Sequence, residues 1–125
     1  MHLVCNISYT EATIRVGSEP MTPKPTDPEP VWSRWLAERM GGIAEFRLEC
    51  GSRVDIQTEA LSIEVDWVKK WPESIGQAVY YANETGSMPA VLLLLRGKDT
   101  EAKYLERATK ACMRLGVALF TWVTR

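Results

Sequence analysis

The sequence predicts an α/β domain, a central mixed β-sheet flanked by helices, and three observations carry that prediction. Trp32, Trp35, Leu36 and Met40 recur at helical spacing. Three runs in which apolar and polar residues alternate follow, over residues 43–50, 53–57 and 61–67, and that alternation is the period of a strand with one buried face. Two further helical patterns then bracket residues 90–95, an apolar run without alternation that suits a strand buried on both faces. The predicted order is helix, three strands, helix, strand, helix, strand, in layers on both sides of the sheet.

Taken in order, residues 1–30 read as an N-terminal extension and linker, and residues 31–125 as the α/β domain. Residues 3–9 alternate well enough for a short strand, and Ile14-Arg15-Val16 is a candidate for another. Residues 17–30 hold five of the seven prolines. Proline fixes its own φ and has no amide hydrogen, so this segment reads as extended linker, and residues 1–20 are expected to be dispensable. The first helix, 31–40, ends at Gly41-Gly42. The strand after it sets Glu45, Arg47 and Glu49 on one face, and Gly51-Ser52 turns the chain into the run containing Asp55. Pro72-Glu73-Ser74 starts a second helix with Ile75, Ala78, Val79 and Ala82 as its buried stripe. Asp99 or Thr100 caps a third helix through Leu115, with Ala102, Leu105, Ala108, Cys112 and Leu115 inward. Residues 117–123 make the last strand.

Composition narrows the chemistry. A chain of 125 residues suits one domain with a real core. The net charge of −1 is no strongly basic signature, but residues 31–125 carry 13 Lys/Arg against 12 Asp/Glu, several of those acids in one candidate site. Cys5, Cys50 and Cys112 have neither an even count nor C-x-x-C spacing, which points to reduced thiols and a cytoplasmic protein. His2 is the single histidine, so histidine-built zinc sites and Ser-His-Asp catalysis are nearly excluded. No signal segment appears, and no apolar run is long enough to span a bilayer.

The chemistry concentrates between Arg53 and Tyr81. Alternation sets Arg53, Asp55 and Gln57 on one face of their strand, and Ser62, Glu64 and Asp66 on the polar face of the next. If the two strands pair as a hairpin, three carboxylates converge, and a hard cation such as Mg²⁺ is the usual way to relieve their repulsion. On the following helix, Gln77 and Tyr81 lie one turn apart and away from the buried stripe.

Asp55, eight intervening residues and Glu64-x-Asp66, followed by Gln77-x-x-x-Tyr81, resemble the PD-(D/E)xK nuclease superfamily and its RecB-type Q-x-x-x-Y branch over residues 31–125. The resemblance implies a restriction-endonuclease-like fold and a small Mg²⁺-dependent deoxyribonuclease, with Mn²⁺ as a substitute, acting as a homodimer or with a larger partner. It implies metal-binding roles for Asp55 and Glu64, and an upstream acid, for which Glu45 ranks just ahead of Glu38. Gln77, Tyr81, Arg53 and Lys70 are the implied substrate contacts, with Arg47 a further candidate. The departure is Asp66, where the pattern has lysine. Either Asp66 is a third ligand or base, or Lys69 or Lys70 supplies the missing ammonium, Lys69 being nearer. That departure keeps an alternative open: a catalytically degenerate nuclease-fold protein that binds nucleic acid or a protein. Each of these charged residues has an ordinary counterpart as a solvated strand or helix face, and the five tryptophans are more often core or interface residues than base-stacking platforms.

Overall fold

In chain order the elements are β1 (Val4–Asn6), α1 (Glu29–Met40), β2 (Ile43–Arg47), β3 (Arg53–Gln57), β4 (Leu61–Trp67), α2 (Trp71–Thr85), β5 (Met88–Leu95), α3 (Ala102–Leu115) and β6 (Ala118–Val123). Single 3₁₀ turns at Val68–Lys70 and Asp99–Glu101 lead into α2 and α3. The structure, a computed structural model, describes residues 4–6 and 21–125. Residues 14–16, a candidate strand, lie outside them. Among the described residues six strands form one mixed sheet in the order β1-β6-β5-β4-β3-β2. β2, β3 and β4 run antiparallel as a meander, while β4, β5 and β6 run parallel, joined through α2 and α3. β1 closes the far edge, parallel to β6, with Val4 opposite Leu119 and Asn6 opposite Thr121.

Two apolar cores sit on the two faces of the sheet. On one face α1 buries Trp32, Trp35, Leu36 and Ala37 against Ile56, Ile63, Val65, Leu92, Leu94 and Phe120. On the other, Ile75 and Ala78 of α2 and Ala108 and Cys112 of α3 cover Val91, Leu93 and Leu119. β5 feeds both cores from alternate residues, which is why its sequence shows no alternation. Trp32 and Trp35 meet edge to face at 6.0 Å, and Trp35 also contacts Trp122, so these rings are packing groups. Cys112 is a buried free thiol and Cys50 an exposed one. No helix among the described residues is long and apolar enough to cross a membrane.

Several boundaries and faces differ from expectation. α1 begins at Glu29 rather than at residue 31, with Pro30 in its first turn. A proline there has the helical φ and no intrahelical hydrogen bond to lose, so a prolyl residue that reads as linker in fact opens the helix. β2 ends at Arg47, and the turn into β3 closes where the Gly51 N–H donates to the Leu48 carbonyl (2.9 Å). On α2 the buried residues are Ser74, Ile75, Ala78 and Ala82, and Val79 is 42% exposed, off the stripe. On α3 only Ala108 and Cys112 are buried; Ala102 is exposed, as is Leu115 where the helix ends at left-handed Gly116.

Candidate active site

The spacing between Asp55 and Glu64 is the register of a hairpin. Thr58 Oγ1 accepts from the N–H groups of Ala60 and Leu61, turning β3 back into β4. Ile56 then lies opposite Ile63 and Gln57 opposite Ser62. One step further the same register brings Asp55 opposite Glu64, and there the backbone ladder stops. Side chains replace it: the Val65 N–H donates to Asp55 Oδ2 (2.8 Å), and the Asp55 N–H donates to Glu64 Oε2 (3.2 Å). The two carboxyls thus occupy the split between the strands, each satisfying an amide that the diverging partner leaves free.

A third acid arrives from α1. Glu29, in its first turn, lines the same cleft as Ser33, Glu45, Arg53, Asp55 and Tyr81, a space of about 420 Å³. The Ser33 hydroxyl, one turn on, donates to Glu29 Oε2. Glu45 sits at the rim, held by Arg34 (3.2 Å) and Arg53 (3.1 Å), with a left-handed backbone at φ 53°. Glu38, the other upstream candidate, points elsewhere: its carboxylate meets Arg39 at 3.7 Å and borders a separate depression beside Trp35. The sequence reading missed Glu29 because it falls in the proline-rich stretch. The available signal was an acid next to a proline at the start of the Trp32 stripe, as at a helix N-terminus.

Burial and mutual repulsion govern the charge of this group. Glu64 is only 5% exposed. Its pKa is raised first by burial and then by Asp55, and a hydrogen bond between the two carboxyls raises Glu64 while lowering Asp55. Asp55 is also raised, again chiefly by burial, against the Val65 N–H that favours its anion. Burial and mutual repulsion thus disfavour two anions in the pair. Burial, with help from Asp55, pushes Glu29 up to about 7. Tyr81 feels the same field, its hydroxyl raised by burial and by Glu64.

The remaining candidates separate. Asp66 accepts from its neighbour's N–H at Trp67 (2.8 Å) and lies near the Ser74 hydroxyl (3.5 Å) at the start of α2. Burial raises its pKa, while the Trp67 amide and the charge of Lys70 oppose that. Lys69 and Lys70 line a second cleft with Arg96, and among the described residues no lysine lines the first. Gln77 is exposed, one turn from Tyr81, and Arg47 borders a different hollow beside Glu84.

Among the described residues no set of three or more His, Cys, Asp or Glu side chains is arranged as a ready metal cage. Mg²⁺ does not need one, since it keeps several waters and takes one or two carboxylates. Asp55 and Glu64, two carboxyls with raised pKa in a gap between strands, are donors of the kind and number such a cation takes, and its charge would relieve their repulsion. Searches of protein-family models, curated proteins and solved structures find no match to this chain.

Proposed function

We propose that the protein is a small Mg²⁺-dependent deoxyribonuclease of the PD-(D/E)xK type, cleaving phosphodiester bonds in the cleft between α1 and the split of β3 and β4. The observation that carries this reading is the Asp55–Glu64 pair in that split, with Glu29 brought to it from another layer. Asp55 and Glu64 would hold the ion and Glu29, with Ser33 orienting its carboxylate, would hold its water shell. The bound ion supplies Lewis acidity toward the scissile phosphate and toward a water. Arg53 at the rim, Tyr81 and Gln77 orient the phosphate backbone. Asp66, anchored by the Trp67 amide, orients a water from the α2 side. A homodimer would widen the DNA-contact surface of so short a chain.

The absence of a lysine from the cleft favours a second reading, a nuclease-fold protein that binds nucleic acid without cutting it. One assay separates the two. Purified protein is incubated with linear, single-stranded and four-way-junction DNA and with Mg²⁺ or Mn²⁺, beside Asp55→Ala, Glu64→Gln and Asp66→Ala. The enzyme reading expects cleavage that Asp55→Ala and Glu64→Gln lower by about 10²–10⁴-fold with DNA binding retained. Binding without cleavage of any substrate selects the second reading. Cleavage that survives Asp55→Ala points to a contaminant and removes support from the first.

A further inference from the structure

Immediately beyond Asp66 the chain enters a second cleft, of about 390 Å³, where β4 and β5 end and the turns into α2 and α3 begin. Lys69, Lys70, Arg96, Lys98 and Lys103 all line it. A protein with a net charge of −1 has gathered five cations in one concavity. The one carboxylate lining it is already committed. Glu101 accepts from the N–H groups of Arg96 (2.9 and 3.0 Å), Gly97 (2.9 Å) and Lys98 (2.9 Å), so backbone donors absorb its charge. Among the described residues none of the four lysines makes a salt bridge to a carboxylate.

The aromatic groups of the cleft sharpen the ligand class. The Arg96 guanidinium lies 3.8 Å over the Trp67 ring, and its Nη1 donates to the Pro25 carbonyl (3.2 Å). Lys103 Nζ stands 5.1 Å from the Tyr104 ring centre. Cations thus occupy ring faces that a base-stacking platform would leave open. What the cleft offers is positive charge along a path, the arrangement that suits phosphates rather than bases. The strand β4 joins the two sites: Trp67, which lines the second cleft, stands three residues past Glu64 on it.

We propose that this second cleft binds the sugar–phosphate backbone of a nucleic acid strand, independently of sequence, and leads it to the carboxylate cleft. Only the last step rests on the nuclease reading; backbone binding requires no cleavage. The contacts are charge–phosphate pairs, so affinity falls steeply with salt and each lysine contributes to the slope.

The test is fluorescence anisotropy in EDTA with the full chain and labelled oligonucleotides of about 20 nucleotides, single- and double-stranded, in two unrelated sequences, over a salt series. Lys98→Glu/Lys103→Glu, both exposed, is compared with Lys110→Glu/Arg114→Glu, which changes net charge equally on α3 outside the cleft. The expected result is a loss of at least about tenfold for the cleft pair, alike for both sequences, with the log–log salt slope shallower by about two. The control pair should move far less. Should either glutamate variant lose its circular-dichroism spectrum, Lys98→Gln/Lys103→Gln replaces it, with the same direction expected. Equal effects of cleft and control pairs overturn the proposal. So does wild-type protein that binds neither oligonucleotide, or that prefers polyglutamate or anionic vesicles to DNA. Failure of cleavage alone sinks the nuclease reading and leaves the cleft standing. Cleavage with unchanged kcat/KM and unchanged affinity in the cleft pair does the reverse.

Discussion

Single carboxyls set the pH behaviour expected of this protein. In the folded chain Glu29 titrates at about 7, against an ordinary value of 4.5. Between those values the folded state keeps a proton that the unfolded chain has released, so the group's stabilising contribution is complete below the lower value. It is lost as pH rises through about 7. Glu64, raised by burial and by Asp55, extends that loss to higher pH. Metal-free Glu29→Gln should therefore match wild type near pH 4 and gain on it with rising pH, by about 1 kcal/mol at pH 8 because solvent screens this part-exposed carboxyl. Thermal melts in EDTA from pH 4 to 8 read the difference directly. A gap that stays constant or closes with pH contradicts the buried, repelled state of Glu29. Mg²⁺ should raise the wild-type Tm most at the alkaline end, because cation and proton compete for the same carboxyls. Asp55→Ala should remove that rise.

At the scale of elements, the turn from α1 into β2 packs against the strand that carries Asp55. Gly41 takes the left-handed φ of 70° that closes the helix, with open space where a side chain would stand. Gly42 is needed for a different reason: a Cβ there would meet Ile56 Cγ2 at 2.7 Å and the Gln57 carbonyl at 3.1 Å. That contact would push on β3 beside Asp55. Asparagine tolerates the left-handed region, so Gly41→Asn should cost only a few tenths of a kcal/mol. Gly42→Ala should cost about 1–3 kcal/mol through overpacking, lower the Tm by several degrees and weaken Mg²⁺ binding. Urea unfolding of the two variants side by side decides it, and equal costs would refute the distinction.

For the whole molecule, the edge of the sheet matters. Residues 1–30 read as a separate extension, yet β1 lies along β6, and Glu29 opens α1 and lines the candidate site. Removing residues 1–20 strips β1 and uncovers the outer edge of β6, a row of free N–H and C=O groups that invites pairing with another chain. The truncated protein should melt a few degrees lower and self-associate with rising concentration, as followed by calorimetry and light scattering. An unchanged Tm with a monodisperse sample would restore the expectation that the arm is dispensable.

What the sequence determined by itself is local and periodic. Strands 53–57 and 61–67, the helix that carries Gln77 and Tyr81, and the doubly buried β5 follow from repeats of 2.0 and 3.6 residues, because burial selects side chains at those periods. The nine-residue step from Glu64 back to Asp55 was legible as well, since a tight hairpin converts sequence spacing into register. The tertiary structure alone decided what comes from separate layers. Glu29 reaches Asp55 only because α1 packs across β3, and no spacing in the chain encodes a meeting of residues twenty-six positions apart. The split of β3 from β4, where two carboxyls satisfy backbone amides, leaves no mark in the alternation of either strand. The gathering of Lys69, Arg96, Lys98 and Lys103 depends on two parallel strands ending side by side. Such contacts are fixed by packing between distant segments, and that packing has no period to read.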